Sequence, residues 1–121
     1  MIVSPKDATA YFWHPAASLG GNELPDVAEY RVYGDVCLAF HQTFWPDVWM
    51  VHLGAKRDGW GRLDKSVMAL LNEFWSEKLP VRIVAWVCKS NRAVIALAKR
   101  MGFVEDGQFA GVIMMGWQKC Q

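Results

Sequence analysis

The chain has 121 residues, 53% of them hydrophobic, and 13 basic against 12 acidic side chains leave a formal net charge of +1. That length allows a single domain over residues 1–121 with a real core and no need of a disulfide or structural metal; the charge carries neither a nucleic-acid footprint nor an acidic tail. Cys37, Cys88 and Cys120 form no ligand set, no signal peptide is read at the start, and no apolar run reaches the ~18 residues of a membrane span, so the expectation is a soluble, cytoplasmic protein.

No internal repeat or low-complexity tract interrupts the chain. Residues 7–13 read as a short helix capped at Asp7 and stopped before Pro15, and residues 18–25 as a loop by their Gly, Asn and Pro content. Residues 28–33 (AEYRVY) and 36–44 (VCLAFHQTF) read as two strands turned at Gly34-Asp35, and residues 48–53 (VWMVHL) as a third, giving an antiparallel meander. Tyr30 and Tyr33 are read on one face of that hairpin, either lining an acceptor pocket or packing.

Leu63, Val67, Leu70, Leu71 and Phe74 follow the i, i+4, i+7, i+8, i+11 spacing of one helical face, in a helix that must end before Pro80. Residues 81–88 (VRIVAWVC) form a nearly continuous apolar run, as expected of a strand buried on both faces, with Trp75 and Trp86 in the core. Strand, helix and strand with short connections make a βαβ crossover. A second helix runs from Asn91 to Met101, capped by Ser90 or Asn91 and closed by Gly102, with Phe103 folding back on Leu97 or Ala98. Glu105 is read in a turn, and residues 109–117 as a closing strand. The fold class is α/β with a mixed sheet.

Between the third strand and the first long helix lies Lys56-Arg57-Asp58-Gly59-Trp60-Gly61, followed by Arg62. Glycines permit close backbone approach, the helix start leaves N–H groups unpaired, and Lys56, Arg57, Arg62 and Lys65 add positive charge, so the segment suits a pyrophosphate. Neither GxxxxGK[ST] nor GxGxxG is present. On the residues alone, two glycines between a strand and a helix read equally as a tight turn.

This segment resembles the Q/R-x-x-G-x-G/A loop of the GCN5-related N-acetyltransferases, with Lys56 where Arg or Gln is usual and Gly59 and Gly61 matching. Residues 91–107 (NRAVIALAKRMGFVEDG) are similar to the family's second landmark: Asn, a helix, then a Gly-Phe pair and an acidic-Gly turn. Together the two cover about residues 48–107. A narrower likeness, to small phage-encoded acetyltransferase-like proteins, touches Trp49-Met50-Val51-His52 and His14-Pro15.

The resemblance implies an N-acetyltransferase that takes acetyl-CoA as cosubstrate and acts on a primary amine of a protein or small molecule. It implies a V-shaped opening between the strands ending near Leu53 and Cys88, with pantetheine held by the backbone of Val51 and Leu53. The pyrophosphate would lie on Lys56, Arg57, Asp58, Gly59, Trp60, Gly61 and Arg62, with Asn91 beside the pantetheine arm. No metal is implied, nor a nucleic-acid or membrane partner; a homodimer is compatible. His52, on the strand flanking the opening, is the candidate base, against a half-buried histidine bonded within the sheet; His41 and His14 are read as surface or capping residues. The chain departs from the family at Ala98, where many members carry a Tyr that protonates the leaving thiolate, and in a shortened front region. These departures support an alternative: a catalytically inactive protein of the same fold with a binding or structural role, such as a phage accessory or assembly factor.

Overall fold

A computed structural model describes residues 1–13, 28–57 and 63–118. In chain order these form β1 (Ile2–Val3), α1 (Pro5–Ala8), a 3₁₀ turn (Thr9–Tyr11), β2 (Glu29–Tyr33), β3 (Val36–Gln42), β4 (Val48–Ala55), α2 (Leu63–Lys78), β5 (Arg82–Cys88), α3 (Arg92–Met101), β6 (Val104–Phe109) and β7 (Val112–Trp117). The strands join in one sheet of order β1-β2-β3-β4-β5-β7-β6. Every neighbouring pair is antiparallel except β4 and β5, the two strands that α2 connects. The meander, the crossover and the mixed α/β class are as the residue pattern predicts.

Strand alternation sorts the side chains onto two faces. On one, Val36, Leu38 and Phe40 of β3, Ile83, Ala85 and Val87 of β5, and Ile113, Met115 and Trp117 of β7 pack against α2 and α3. The α2 residues buried there are Leu63, Val67, Leu70, Leu71 and Phe74, the set its periodicity selects. Phe74 stacks on Phe40 with ring centroids 3.8 Å apart and meets Trp49 edge-on at 5.1 Å. Arg31 of β2 is fully buried against the same helix, with Glu29, Glu73 and Glu77 at 3.1, 2.9 and 2.6 Å. Burial works against its charge, but those carboxylates outweigh it and hold the guanidinium above its ordinary pKa. On the other face, Tyr30, Val32, Cys37 and Ala39 form a second cluster with Ala8 and Phe12.

α3 begins at Asn91, whose side chain accepts from the Val94 N–H at 3.3 Å, and ends at Gly102 (φ 100°), where the Phe103 N–H returns to the Ala98 carbonyl. The C-terminal region differs from its reading as one closing strand. Glu105 and Gly107 belong to β6, an edge strand with an irregularity between them, and Ala110 (φ 51°) and Gly111 (φ 79°) turn it into β7.

Three further expectations are corrected. The N-terminal helix is capped by Ser4, whose hydroxyl accepts from the Asp7 N–H, and Pro5 opens it; Asp7 lies inside its first turn rather than at its cap. Tyr30 and Tyr33, three residues apart in one strand, take opposite faces: Tyr30 is buried and Tyr33 exposed beside the turn. Trp86 is 57% exposed and Cys88 is exposed too, because the even-numbered side chains of β5 point to the face that α2 and α3 do not cover.

Candidate active site

The sheet opens between its two parallel strands. β4 and β5 pair at Val48↔Arg82, Trp49↔Ile83 and Met50↔Val84 and at no later position, although β4 continues to Ala55 and β5 to Cys88. In an antiparallel pair the N–H and C=O of one residue point the same way, and alternate residues point to opposite neighbours. The Val48 carbonyl accepts from Thr43 and the Lys56 N–H donates to Asp35, so the even-numbered residues of β4 turn their backbone toward β3. Val51, Leu53 and Ala55 therefore aim theirs at the opening. By the same reasoning the Lys89 N–H on the Gly111 carbonyl turns the odd residues of β5 toward β7, leaving the backbone of Trp86 facing the opening.

The opening is part of a cleft of about 800 Å³ that passes through the sheet. Val67 and Leu71 of α2 and Val94, Leu97 and Ala98 of α3 line it on the helix side; Tyr11, Trp13, His52, Gly54, Trp86 and Cys88 line it on the other. Among the described lining residues the titratable groups are Tyr11, His52 and Cys88.

Of the residues singled out from sequence, Val51, His52, Leu53 and Asn91 line this cleft. Asn91 uses its side-chain oxygen as the α3 cap, which leaves its amide N–H₂ as the group it can offer a ligand. Lys56 and Arg57 are exposed just past β4; the Lys56 ammonium lies 5.0 Å from the Tyr11 ring centre and the Arg57 guanidinium 4.1 Å from that of Trp13. Asp58, Gly59, Trp60, Gly61 and Arg62 lie outside the described residues, as do His14 and Cys120. Ala98 lines the cleft, so the position where a Tyr is common in the resembled family does face the opening.

His41, read from sequence as a surface or capping residue, is half-buried beside His52. The two occupy diagonal positions on adjacent strands, with His41 opposite Met50 and His52 opposite Ala39, and their Nε2 atoms are 2.9 Å apart. Desolvation, then the charge of His41, lower the pKa of His52 to about 4, so its imidazole is neutral at physiological pH.

Of the aromatic rim, sequence reasoning leaves Trp13 open between an acceptor pocket and a partner surface, reads Trp86 as core and does not single out Tyr11. Trp13 donates its indole N–H to the Ala55 carbonyl at 2.8 Å, meeting the last of the β4 groups that face the opening. Gly54 lets the front segment lie against β4: a Cβ there would come 2.7 Å from the Tyr11 carbonyl oxygen and 2.8 Å from the Phe12 ring. The signal for Trp86 was its parity with Val84 and Cys88; the signal for Gly54 was a glycine inside a strand pattern, which marks close backbone approach.

No protein-family profile and no curated protein matches the sequence. Solved structures do. The ribosomal-protein-S5-alanine acetyltransferase of Vibrio fischeri aligns with a TM-score of 0.70 at 12% identity, over 97% of this chain and 90% of that one. The Campylobacter jejuni N-acetyltransferase PseH, solved in complex with acetyl coenzyme A, aligns with a TM-score of 0.67 at 14% identity, over 79% and 71%. A GNAT-family acetyltransferase from Bacillus anthracis aligns with a TM-score of 0.62 at 12% identity, over 75% of this chain and 65%, just under two thirds, of that one. This chain has the fold of the GCN5-related N-acetyltransferases.

Proposed function

We propose, with that fold as premise, that the protein is an acetyl-CoA-dependent N-acetyltransferase acting on a primary amine of a protein or small molecule in a reducing, cytoplasmic compartment. The observation that carries this reading is the loss of β4–β5 pairing after Met50↔Val84, which leaves a slot with backbone groups aimed into it. An extended, amide-bearing pantetheine arm fits such a slot as an added strand, bonded along Val51 and Leu53. The diphosphate then falls toward the segment from Lys56 to Arg62, at the start of α2, and Asn91 offers its amide N–H₂ to the arm from the far wall.

The transfer follows from these groups. The amine nitrogen attacks the thioester carbonyl, and the oxyanion of the adduct takes a hydrogen bond from the Leu53 N–H, which faces the slot. A neutral His52 of pKa about 4 does not strip a free alkylammonium, whose pKa is ~10.4; the mismatch is roughly 9 kcal/mol. It takes instead the proton that the nitrogen sheds after attack, when N–C bond formation has made that proton far more acidic. The adduct then collapses, the C–S bond breaks, and CoA leaves as thiolate, with no hydroxyl at Ala98 to protonate it. The amine is thus used in its free form, and the rate should fall as the acceptor, not His52, becomes protonated.

Two measurements test this. Millimolar acetyl-CoA should raise the melting temperature, since a ligand of the native state stabilises it by RT ln(1 + [L]/Kd). Thiol release over a panel of amines should then show turnover, which His52→Ala lowers by ~10²-fold or more. An unchanged melting temperature removes the cofactor, and full activity in His52→Ala removes the base.

A further inference from the structure

We infer that the acceptor is an arylalkylamine, a single amine carried a short chain away from a flat aromatic body, and that Trp86 of β5 is the residue that selects it. This rests on the transferase reading for the reaction, and adds to it the class of amine and the surface that recognises it.

Trp86 stands apart from the other described tryptophans. Trp13 lies under the Arg57 guanidinium, Trp45 meets Phe44, Trp49 meets Phe74, and Trp75 and Trp117 meet each other. Among the described residues no ring or cation lies against Trp86, and it is 57% exposed although it lines the cleft. An indole left bare in a concave site is apolar area that a bound ligand removes from water.

Register gives the place of that surface. Met50 of β4 is the last partner of β5, at Val84, so two residues further along each strand His52 and Trp86 stand level on the two sides of the slot. Trp49, Val51 and Leu53 pack toward α2 and α3, as do Ile83, Ala85 and Val87, so His52 and Trp86 share the opposite face of the sheet. The helix face of the opening is roofed by the buried Leu71 and Leu97, which leaves the His52 and Trp86 face for the acceptor. With the arm laid along β4, its acyl carbon lies about one strand spacing, ~4.8 Å, from β5, a span that about two carbons between nitrogen and ring cover. The ring then lies along the indole, a pairing that contributes up to roughly tenfold beyond the area it buries. Charge narrows the class further. No carboxylate stands among the described residues that line the cleft, and the charged side chains on its aromatic rim, Lys56 on Tyr11 and Arg57 on Trp13, are cations. A second ammonium on the acceptor finds no counter-charge among them, so a monoamine fits and a polyamine does not.

The test compares kcat/KM at saturating acetyl-CoA for 2-phenylethylamine, ethanolamine, spermidine and an alanyl peptide. 2-Phenylethylamine should lead ethanolamine by roughly tenfold or more. Trp86→Ala should collapse that ratio by roughly tenfold, and Trp86→Phe, which keeps a flat ring, should preserve most of it. A ratio between two acceptors does not depend on how much of the enzyme is folded. Spermidine or the peptide as preferred acceptor, or a ratio indifferent to Trp86→Ala, overturns the inference. Binding is read separately, without turnover. In ¹H–¹⁵N spectra the Trp86 indole N–H, assigned by its loss in Trp86→Phe, should shift with millimolar 2-phenylethylamine and not with spermidine. An indole that ignores 2-phenylethylamine also overturns the inference. If that shift occurs but no amine is acetylated, the transferase reading fails, and the arylalkylamine site stands on binding alone.

Discussion

Two glycines in this sheet have little room for a side chain, and the difference between them shows how residue-scale crowding decides cost. A Cβ on Gly54 would meet the Tyr11 carbonyl oxygen and the Phe12 ring, both fixed by the second core, in which Phe12 is buried. A Cβ on Gly116 would meet only the end of the Arg82 side chain, whose guanidinium pairs with Asp106 at a largely exposed site. Gly54→Ala must therefore shift the front segment off β4 and should destabilise by about 1–3 kcal/mol, the usual range for overpacking. Gly116→Ala need only swing Arg82 aside and give up an exposed ion pair, so its cost should stay under ~1 kcal/mol. Urea unfolding of both variants measures the contrast; equal losses would mean that the front segment yields as easily as an arginine. Trp13 and Tyr11 ride on that segment, so Gly54→Ala should also widen the rim of the cleft.

At the scale of elements, α2 was legible because a helix exposes its burial in its own periodicity: one stripe, one face, one partner. Phe74 sits at the centre of that stripe, stacked on Phe40 and flanked by Trp49. Phe74→Ala should cost about 3–5 kcal/mol, as a large ring lost from a packed core does, read from the shift in denaturation midpoint. A loss below 1 kcal/mol would mean that α2 holds the sheet through its other contacts. Strands are less forthcoming. The run from Val81 to Cys88 reads as buried on both faces, yet its even positions emerge because burial of a strand's second face depends on what lies over it, and no local pattern encodes that. β6 escaped notice for a related reason: Val104–Phe109 is an edge strand, largely exposed, whose acidic residues and Gly107 carry no alternation to mark it. His41 and His52 illustrate the same limit in the site. Each lies on a strand that the pattern finds, but their contact is a property of register, fixed only when β3 and β4 are aligned.

The molecule as a whole is two antiparallel systems, β1 to β4 and β5-β7-β6, joined through three parallel pairs and spanned by α2. That division places the opening: β4 and β5 run to eight and seven residues, yet their ladder stops after three pairs. The motifs around Lys56 and Asn91 pointed to this seam because they flank it in sequence, whereas the depth of the cleft depends on Trp86, Cys88 and the front segment folding around it. Cys88 offers a way to ask whether a ligand fills the seam. It is an exposed thiol at the far end of β5 and lines the cleft, while Cys37 is buried, with desolvation pushing its thiol up to about 12. In a Cys120→Ser background, N-ethylmaleimide should modify Cys88 readily in the native protein and leave Cys37 untouched, as peptide mass mapping would show. Millimolar acetyl-CoA should slow the Cys88 reaction severalfold, because a pantetheine arm laid between the strands passes the end of β5. If acetyl-CoA raises the melting temperature while Cys88 reacts at its original rate, the nucleotide is bound elsewhere, and the slot between β4 and β5 is not its site.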